Sequence, residues 1–442
     1  MLLIYLPQVS TRSKYIFDLI FTDEFGIEYN TTANITQFEN HTEEKINYSV
    51  NRIKDEFFIK ASSLLSENFI KNIEVPVTEK GQTKILFPND ELCDVGFDVF
   101  SSVFYMLSRY EEYLLFTPDK YGRFNVTDSL AFKNNFLQIP VVNKWVEQFK
   151  NLLQKKIPLL KFKPSKFGAI ATYDIDVAYK FKGRSFNRNA GSTIKDFLRL
   201  DLKNIQNRIQ TLNNKCKDPW NTYDYLREAI VQNNLQSIFF FLLGDNSIND
   251  GNLDYKNPVM KSLIDKIKIF SEIGIHPSFK TSSITKKILI EKQRLEKISG
   301  KKIIRSRQHF LKFTLPETYN ALIKAGIAED YSMGFPYTPG FRAGTSKPFY
   351  FYDLKKERST NLKIFPITFM EGNFTEKEYP NHEKVAETIF NLIDEVKNVN
   401  GTFISIWHNH TVSDTNEYKD WRNIHEQMIQ KIVTLSGNPR YQ

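Results

Sequence analysis

The stretch Phe167-Gly168-Ala169-Ile170-Ala171-Thr172-Tyr173-Asp174-Ile175-Asp176 decides how the rest of the chain is read. Its apolar first half has the length of a buried strand, and it ends on two carboxylates two residues apart. Alternate residues of an extended chain point the same way, so Asp174 and Asp176 project to one side at the strand's mouth. Two like charges this close repel unless a cation or a proton lies between them. Acid pairs at the C-terminal ends of barrel strands commonly hold a metal beside a general base. The plainer alternative is a helix-capping aspartate followed by a surface aspartate. The residues downstream favour the first reading.

From Phe167 onward, strand and helix patterns alternate. Strands are expected over 167–173, 237–243, 272–276, 302–307, 328–332, 363–369 and 402–407. Helices are expected over 222–233, 259–271, 284–298, 316–325 and 383–396. The helix at 316 carries a capping box, Thr314 with Glu317, and Gly326 follows its end. Such alternation indicates a parallel sheet or a barrel. In either, chemistry collects at the C-terminal strand ends. There the sequence places Asp174, Asp176, His276, Arg307, His309, Asp330, Glu371, His408 and His410. The chain has seven histidines, and four of them fall at these ends, facing the two aspartates. His41, His382 and His425 read as loop or helix residues.

Working outward, residues 1–160 read as a smaller α/β domain. Its strands are expected over 2–6, 14–21 and 83–87, and its helices over 98–115 and 142–154. Charges within Ser108-Arg109-Tyr110-Glu111-Glu112-Tyr113 should pair locally at helical spacing. The proline-bearing stretch 155–166 reads as a linker to a second domain over 167–442. A chain of 442 residues exceeds what one core usually serves. With 41% hydrophobic and 25% charged residues, the composition is that of a soluble globular protein. The longest apolar run, 238–243, is too short to span a membrane. The brief apolar start at Met1 reads as a strand rather than a leader. Cys93 and Cys216 imply no disulfide framework, and a cytoplasmic location is expected.

Net charge is +9. Between Lys180 and Lys217 ten Lys/Arg face only Asp196 and Asp201, an excess of eight in one segment. No nucleic-acid-binding motif accompanies it. Apolar residues at Ile194, Phe197, Leu198, Leu202, Ile205, Ile209 and Leu212 predict an amphipathic helix over 192–212, capped by Ser192. It leaves the strand that bears Asp174. Lys180, Lys182, Arg184 and Arg188 are therefore expected to line a substrate groove and to meet an anionic or lipid-linked substrate. The alternative is a peripheral helix with a solvated basic face.

Residues 167–442 resemble the polysaccharide deacetylases of carbohydrate esterase family 4. The matching pieces, in order, begin with Thr172-Tyr173-Asp174-Ile175-Asp176, Ser237-Ile238-Phe239-Phe240-Phe241-Leu242 and Ile273-Gly274-Ile275-His276-Pro277-Ser278. Gly340-Phe341-Arg342-Ala343-Gly344 and Ile406-Trp407-His408-Asn409 complete them. The resemblance implies a distorted seven-stranded (β/α) barrel. It also implies metal-dependent removal of N-acetyl groups from an amino-sugar poly- or oligosaccharide. A preceding α/β domain occurs in some bacterial members. By the same resemblance Asp174 is the general base, Asp176 and His276 bind the metal, and His408 is the general acid. An arginine orients the base, with Arg307 and Arg342 both matching. The metal is a divalent cation, zinc by the ligand types. The second histidine of the strand-three motif is replaced here by Lys280. Either His309 supplies the missing ligand or the metal has been lost. His410 is expected beside the substrate. Two readings compete: a related C–N or ester hydrolase on a small non-sugar substrate, and a non-catalytic carbohydrate-binding relative.

Overall fold

The computed structural model describes residues 1–81, 83–89, 93–374, 378–379 and 381–437. The N-terminal region holds a parallel sheet whose strands lie in the order Tyr29–Thr32, Leu2–Tyr5, Lys45–Ser49, Phe57–Lys60. An antiparallel hairpin, Val77–Lys80 with Thr83–Leu86, lies apart from it. The strand expected over 14–21 is a helix instead. Ser10 caps Thr11–Phe17 through a capping box with Ser13, and the helix widens into a π-helical turn over Asp18–Phe25. Tyr15, Ile16, Phe17, Ile20 and Phe21 are all buried. Thr11, Lys14, Asp18 and Thr22 interrupt the apolar residues at helical spacing, and Lys14 pairs with Asp18 one turn on.

The long helix expected over 98–115 stops early. Val99–Leu107 is capped by Asp98, whose carboxylate accepts the Ser101 amide. Arg109 then turns left-handed at φ 53°, and Tyr110–Tyr113 forms a 3₁₀ turn. This break lets Arg109 grip both Glu111 and Glu112, at 2.7 Å each. After a short helix at Leu130–Lys133, a long one runs Val141–Lys156, so part of the expected linker is helical.

The larger sheet has nine strands: β1 Gly168–Ile175, β2 Gln236–Phe241, β3 Glu272–Ile275, β4 Arg305–Ser306, β5 Glu329–Asp330, β6 Phe349–Asp353, β7 Arg358–Ile364, β8 Phe369–Met370 and β9 Thr402–His408. Their spatial order is β6-β7-β5-β4-β3-β2-β1-β9-β8. All pairs are parallel except β6 with β7. Around and between the strands lie α1 Phe186–Leu198, α2 Leu202–Leu212, α3 Tyr223–Gln232, α4 Pro258–Ile267, α5 Lys286–Ser299, α6 Glu317–Lys324, α7 His382–Asn398 and α8 Trp421–Leu435.

The expected distorted seven-stranded (β/α) barrel is met only in part. The sheet is mixed, and among the described residues its ladder does not close. The single strand expected over 363–369 is split into β7 and β8 by Phe365 and Pro366. Proline has no N–H to give a ladder. The chain itself spans the gap: Phe365 N–H donates to the Asp330 carbonyl, Ile367 to Met333 and Thr368 to Ile404. The capping box expected from Thr314 and Glu317 is also absent. Pro316 occupies the cap of α6 with no side-chain bond, and the Thr314 amide donates to Thr318 Oγ1 instead. Gly326, at φ 74°, does follow the helix end.

Alternation within the strands separates two apolar layers. Tyr173, Ile175, Phe239, Phe241, Phe403 and Trp407 join the main core, which runs unbroken into the N-terminal region. Ile238, Phe240, Leu311, Tyr331, Ile367, Ile404 and Ile406 form a small second cluster on the opposite face, with Ile170 against it. Asp174 and Asp176 share Ile170's side of β1, so they stand above this second cluster.

Polar contacts tie the two regions together. Glu112 receives Arg342 Nε at 2.8 Å and Nη2 at 2.6 Å. Arg12 pairs with Glu357, and Asn143 takes the Ser346 amide. Gly340 packs so closely that a Cβ there would lie 2.6 Å from the Leu137 carbonyl oxygen.

Candidate active site

Register delivers the site. Asp174 on β1 sits opposite His408 on β9 and opposite Phe240 on β2. Ile275 on β3 pairs with both Phe241 and Ser306, so His276 and Arg307 leave their strands at the same level. Each of these groups is at the carboxyl end of its strand.

Asp176 is the centre. Its Oδ1 lies 3.1 Å from His276 Nε2, and its Oδ2 lies 3.3 Å from both His309 Nε2 and His408 Nε2. The other nitrogen of each imidazole is held from behind. His276 Nδ1 is 2.5 Å from the Arg307 carbonyl, His309 Nδ1 is 3.0 Å from Asp250, and His408 Nδ1 is 2.5 Å from Glu371. Such outer partners fix the tautomer and turn each Nε2 inward. Asp174 is 97% buried. It accepts Arg307 Nη1 at 2.8 Å, while Arg307 Nε donates to the Tyr331 carbonyl. The guanidinium lies 4.4 Å over the Phe240 ring, which the second apolar cluster supports.

The charges reflect this crowding. Burial opposes ionisation of Asp176, but His309 and His408 hold its carboxyl well below the usual range. Burial also opposes charge on His309, but Asp176 and Asp250 hold it up to about 9. His408 is likewise held well above the usual histidine value by Glu371 and Asp176, against burial. His410 goes the other way. Burial and the neighbouring His408 push it down to about 4, so it is neutral.

Asp176, His276 and His309 each offer one ligand atom, and these atoms lie within 4.8 Å of one another. The fit to a cation rests on two features. Buried Asp176 Oδ1 makes no aligned hydrogen bond. Both imidazoles already spend their second nitrogen on a carbonyl or a carboxylate, which is how histidine is prepared as a ligand. Lys280, where the resemblance leads one to expect a histidine, is exposed on a 3₁₀ turn, Phe279–Ser282. His309 comes in from the next strand.

Arg342 is not brought to this site. It lies at the seam with the N-terminal region, bonded to Glu112 and the Gly334 carbonyl. Its local motif placed it near Asp174; its burial with a partner more than two hundred residues upstream places it elsewhere. His410 stands beside the cluster, 5.3 Å from His408 by ring centroids, between Trp220 at 5.0 Å and Tyr418 at 5.1 Å. Lys180 Nζ is 5.8 Å from the Trp220 ring and 3.6 Å from Glu417. Arg188 Nη2 donates to the Gly251 carbonyl, next to Asp250. Lys182 is exposed, and Arg184 is partly buried with its Nε unpaired. Burial and the nearby Arg188 and Arg208 push Arg184 down to about 10.

Two residues escaped the reading of the sequence, and a third was given no task. Asp250 lies in an irregular loop after β2, where nothing in local pattern marks it. Glu371 was seen at a strand end but given no task. Arg123, from the N-terminal region, donates to the Phe310 carbonyl at 2.6 Å. Phe310 and Leu311 both have positive φ, 61° and 49°, a strained turn of the kind that clusters at functional sites. Tyr121 packs on Phe310 at 5.2 Å, so the N-terminal region forms one rim beside His309.

Over residues 2–158 the chain matches the family model DUF7033, described as a family of unknown function. No curated protein matches the chain. Among solved structures it is similar to a candidate polysaccharide deacetylase from Mycobacterium smegmatis, at 13% identity and TM-score 0.41, covering 61% of this chain and 85% of that one. It is also similar to a candidate glycoside hydrolase/deacetylase from Parabacteroides distasonis, at 12% identity and TM-score 0.38, covering 61% and 66%. A de-N-acetylase from Aggregatibacter actinomycetemcomitans follows at 13% identity and TM-score 0.23, covering 38% and 88%. At these identities and scores, neither activity nor substrate carries over.

Proposed function

We propose that the protein is a metal-dependent hydrolase that removes N-acetyl groups from an amino-sugar-containing poly- or oligosaccharide. The observation that carries this reading is the convergence of His276, His309 and His408 on Asp176, each imidazole anchored from behind. Asp176, His276 and His309 would hold the cation, zinc by their ligand types. Bound there, a divalent cation would supply Lewis acidity to a carbonyl and make water acidic near neutral pH.

The chain's own residues would do the proton work. Asp174, oriented by Arg307, takes a proton from the attacking water, whose oxygen adds to the amide carbon. His408, on the other side of Asp176 and backed by Glu371, gives a proton to the nitrogen as the C–N bond breaks. His410, Trp220 and Lys180 would line the sugar side of the cleft. Residues 1–160 would act as a separate α/β unit that frames the cleft through Tyr121 and Arg123. The acetamido substrate class rests on the motif resemblance.

The test combines metal analysis with product release. Purified protein should carry about one divalent ion per chain. It should release acetate from N-acetylated oligosaccharides, lose this with chelator and regain it with zinc. A metal-free protein that binds chitin-type oligosaccharides without releasing acetate would reject the hydrolase reading.

A further inference from the structure

The basic segment after β1 is not one helix over 192–212 but a hairpin of two, α1 and α2. α1 is capped by Ser185 rather than Ser192. The hairpin is folded inside out. Its buried positions are polar: Asn189, Arg208 and Thr211. Arg208 is bonded to Asp196, and Asn204 Nδ2 donates to the same carboxylate at 2.8 Å. Phe197 is 62% exposed, Leu198 77%, Leu200 81% and Leu202 65%; Phe186 and Ile194 are exposed as well. Large apolar residues displayed together in this way mark a surface that something else covers.

Charge selects the occupant. The excess of eight between Lys180 and Lys217 is nearly the whole net charge of the chain. Lys195, Arg199 and Lys203 are exposed and interleave with the apolar residues. A second copy would bring the same excess face to face with itself, and like charges across an interface are costly. An anionic bilayer satisfies both features, with apolar depth for the rings and leucines and head-group charge for the lysines and arginines. With 13 and 11 residues, the two helices are too short to cross and would lie in the interface.

We infer that the hairpin 186–212 docks this protein on an anionic lipid surface. Arg188, through the Gly251 carbonyl, ties the hairpin to the loop that carries Asp250, beside the strand-end cluster. Docking therefore brings that cluster to the head-group layer. The inference needs only the hairpin and stands whether or not the hydrolase reading does.

Flotation of the full chain with lipid vesicles tests it. The protein should float with phosphatidylcholine–phosphatidylglycerol vesicles at low salt, far less with phosphatidylcholine alone, and progressively less as salt rises. The exposed triple substitution Phe197→Ser, Leu198→Ser and Leu200→Ser should weaken binding by about tenfold or more while leaving the melting temperature unchanged. Lys195→Gln, Arg199→Gln and Lys203→Gln together should weaken it and flatten its salt dependence. Absence of flotation on the anionic vesicles at low salt would overturn the proposal. So would a dimer, without vesicle binding, that the triple serine variant converts to monomer, since the surface would then belong to a second copy.

Discussion

The strand ends and the α1–α2 hairpin break the same rule in opposite directions. At the strand ends and the loop beside them, ionisable groups are buried: His276, His309, Arg307 and Asp250 are all at least 95% covered. In the hairpin, apolar side chains are outside and polar ones inside. The difference lies in what each region leaves unsatisfied. The strand ends leave inward-facing polar atoms, among them Asp176 Oδ1 and Glu371 Oε2, which suit a small charged guest. The hairpin leaves uncovered apolar area and surplus charge, which suit a broad partner. On the two proposals, one region serves chemistry and the other location.

That contrast can be broken most severely at Asp174. Asp174→Asn should keep metal and lose turnover by about 10²- to 10⁴-fold, as for loss of a general base. Asp176→Asn should lose metal as well. Metal analysis beside acetate release separates the two, and unchanged activity with equal metal in both would reject the assignment. A smaller effect is expected behind the ligands. Asp250→Asn should lower metal affinity about 10- to 100-fold, because His309 loses the group that orients it. Glu371→Gln should lower turnover and spare the metal. Competition with a chelating dye measures both, and an unaltered affinity in Asp250→Asn would remove His309 from the ligand set.

The hairpin side is sharpened by Lys180. Lys180→Gln should raise KM more than it lowers kcat, with the gap closing in high salt, whereas the exposed Lys182→Gln should do neither. Equal KM values for the two variants at low salt would separate the basic segment from the substrate. The smallest effect tests a buried histidine outside both regions. His425 on α8 stands between Tyr173 Oη at 3.0 Å and Tyr225 Oη at 2.7 Å. Burial and nearby Arg422 push it down to about 3. Below the unfolded value of about 6.5 the unfolded chain takes up a proton that the folded chain refuses. Stability from this site is thus complete above that pH and declines as pH falls toward 3. His425→Gln should flatten the fall of melting temperature across this window; an identical slope would mean the histidine is not held neutral.

What the sequence made legible follows period and punctuation. β1, β2, β3 and β9 were readable because short, mostly apolar runs end in polar residues. The strand Phe349–Asp353 was missed because its partner is antiparallel, against the βα rhythm used to find the others. The helix at Thr11 was misread because Ile16-Phe17 and Leu19-Ile20-Phe21 outweighed the helical spacing of Lys14, Asp18 and Thr22. In the site, Asp174, Asp176, His276, His309 and His408 stand at strand ends, where position alone singles them out. Asp250 sits in a loop, and Arg123 comes from the other region. Their proximity is set by tertiary packing, which no local pattern encodes. Arg342 shows the converse, a suggestive motif whose side chain packing sends elsewhere.

Glu112 has a wider consequence. Its one buried carboxylate is divided between Arg109 of its own region and Arg342 of the other. Parting the first 158 residues from the rest would separate Arg342 from Glu112 and uncover the apolar core that the two regions share. The first 158 residues are therefore poor material for free exchange. This carboxylate makes the pairing of the two regions a heritable unit.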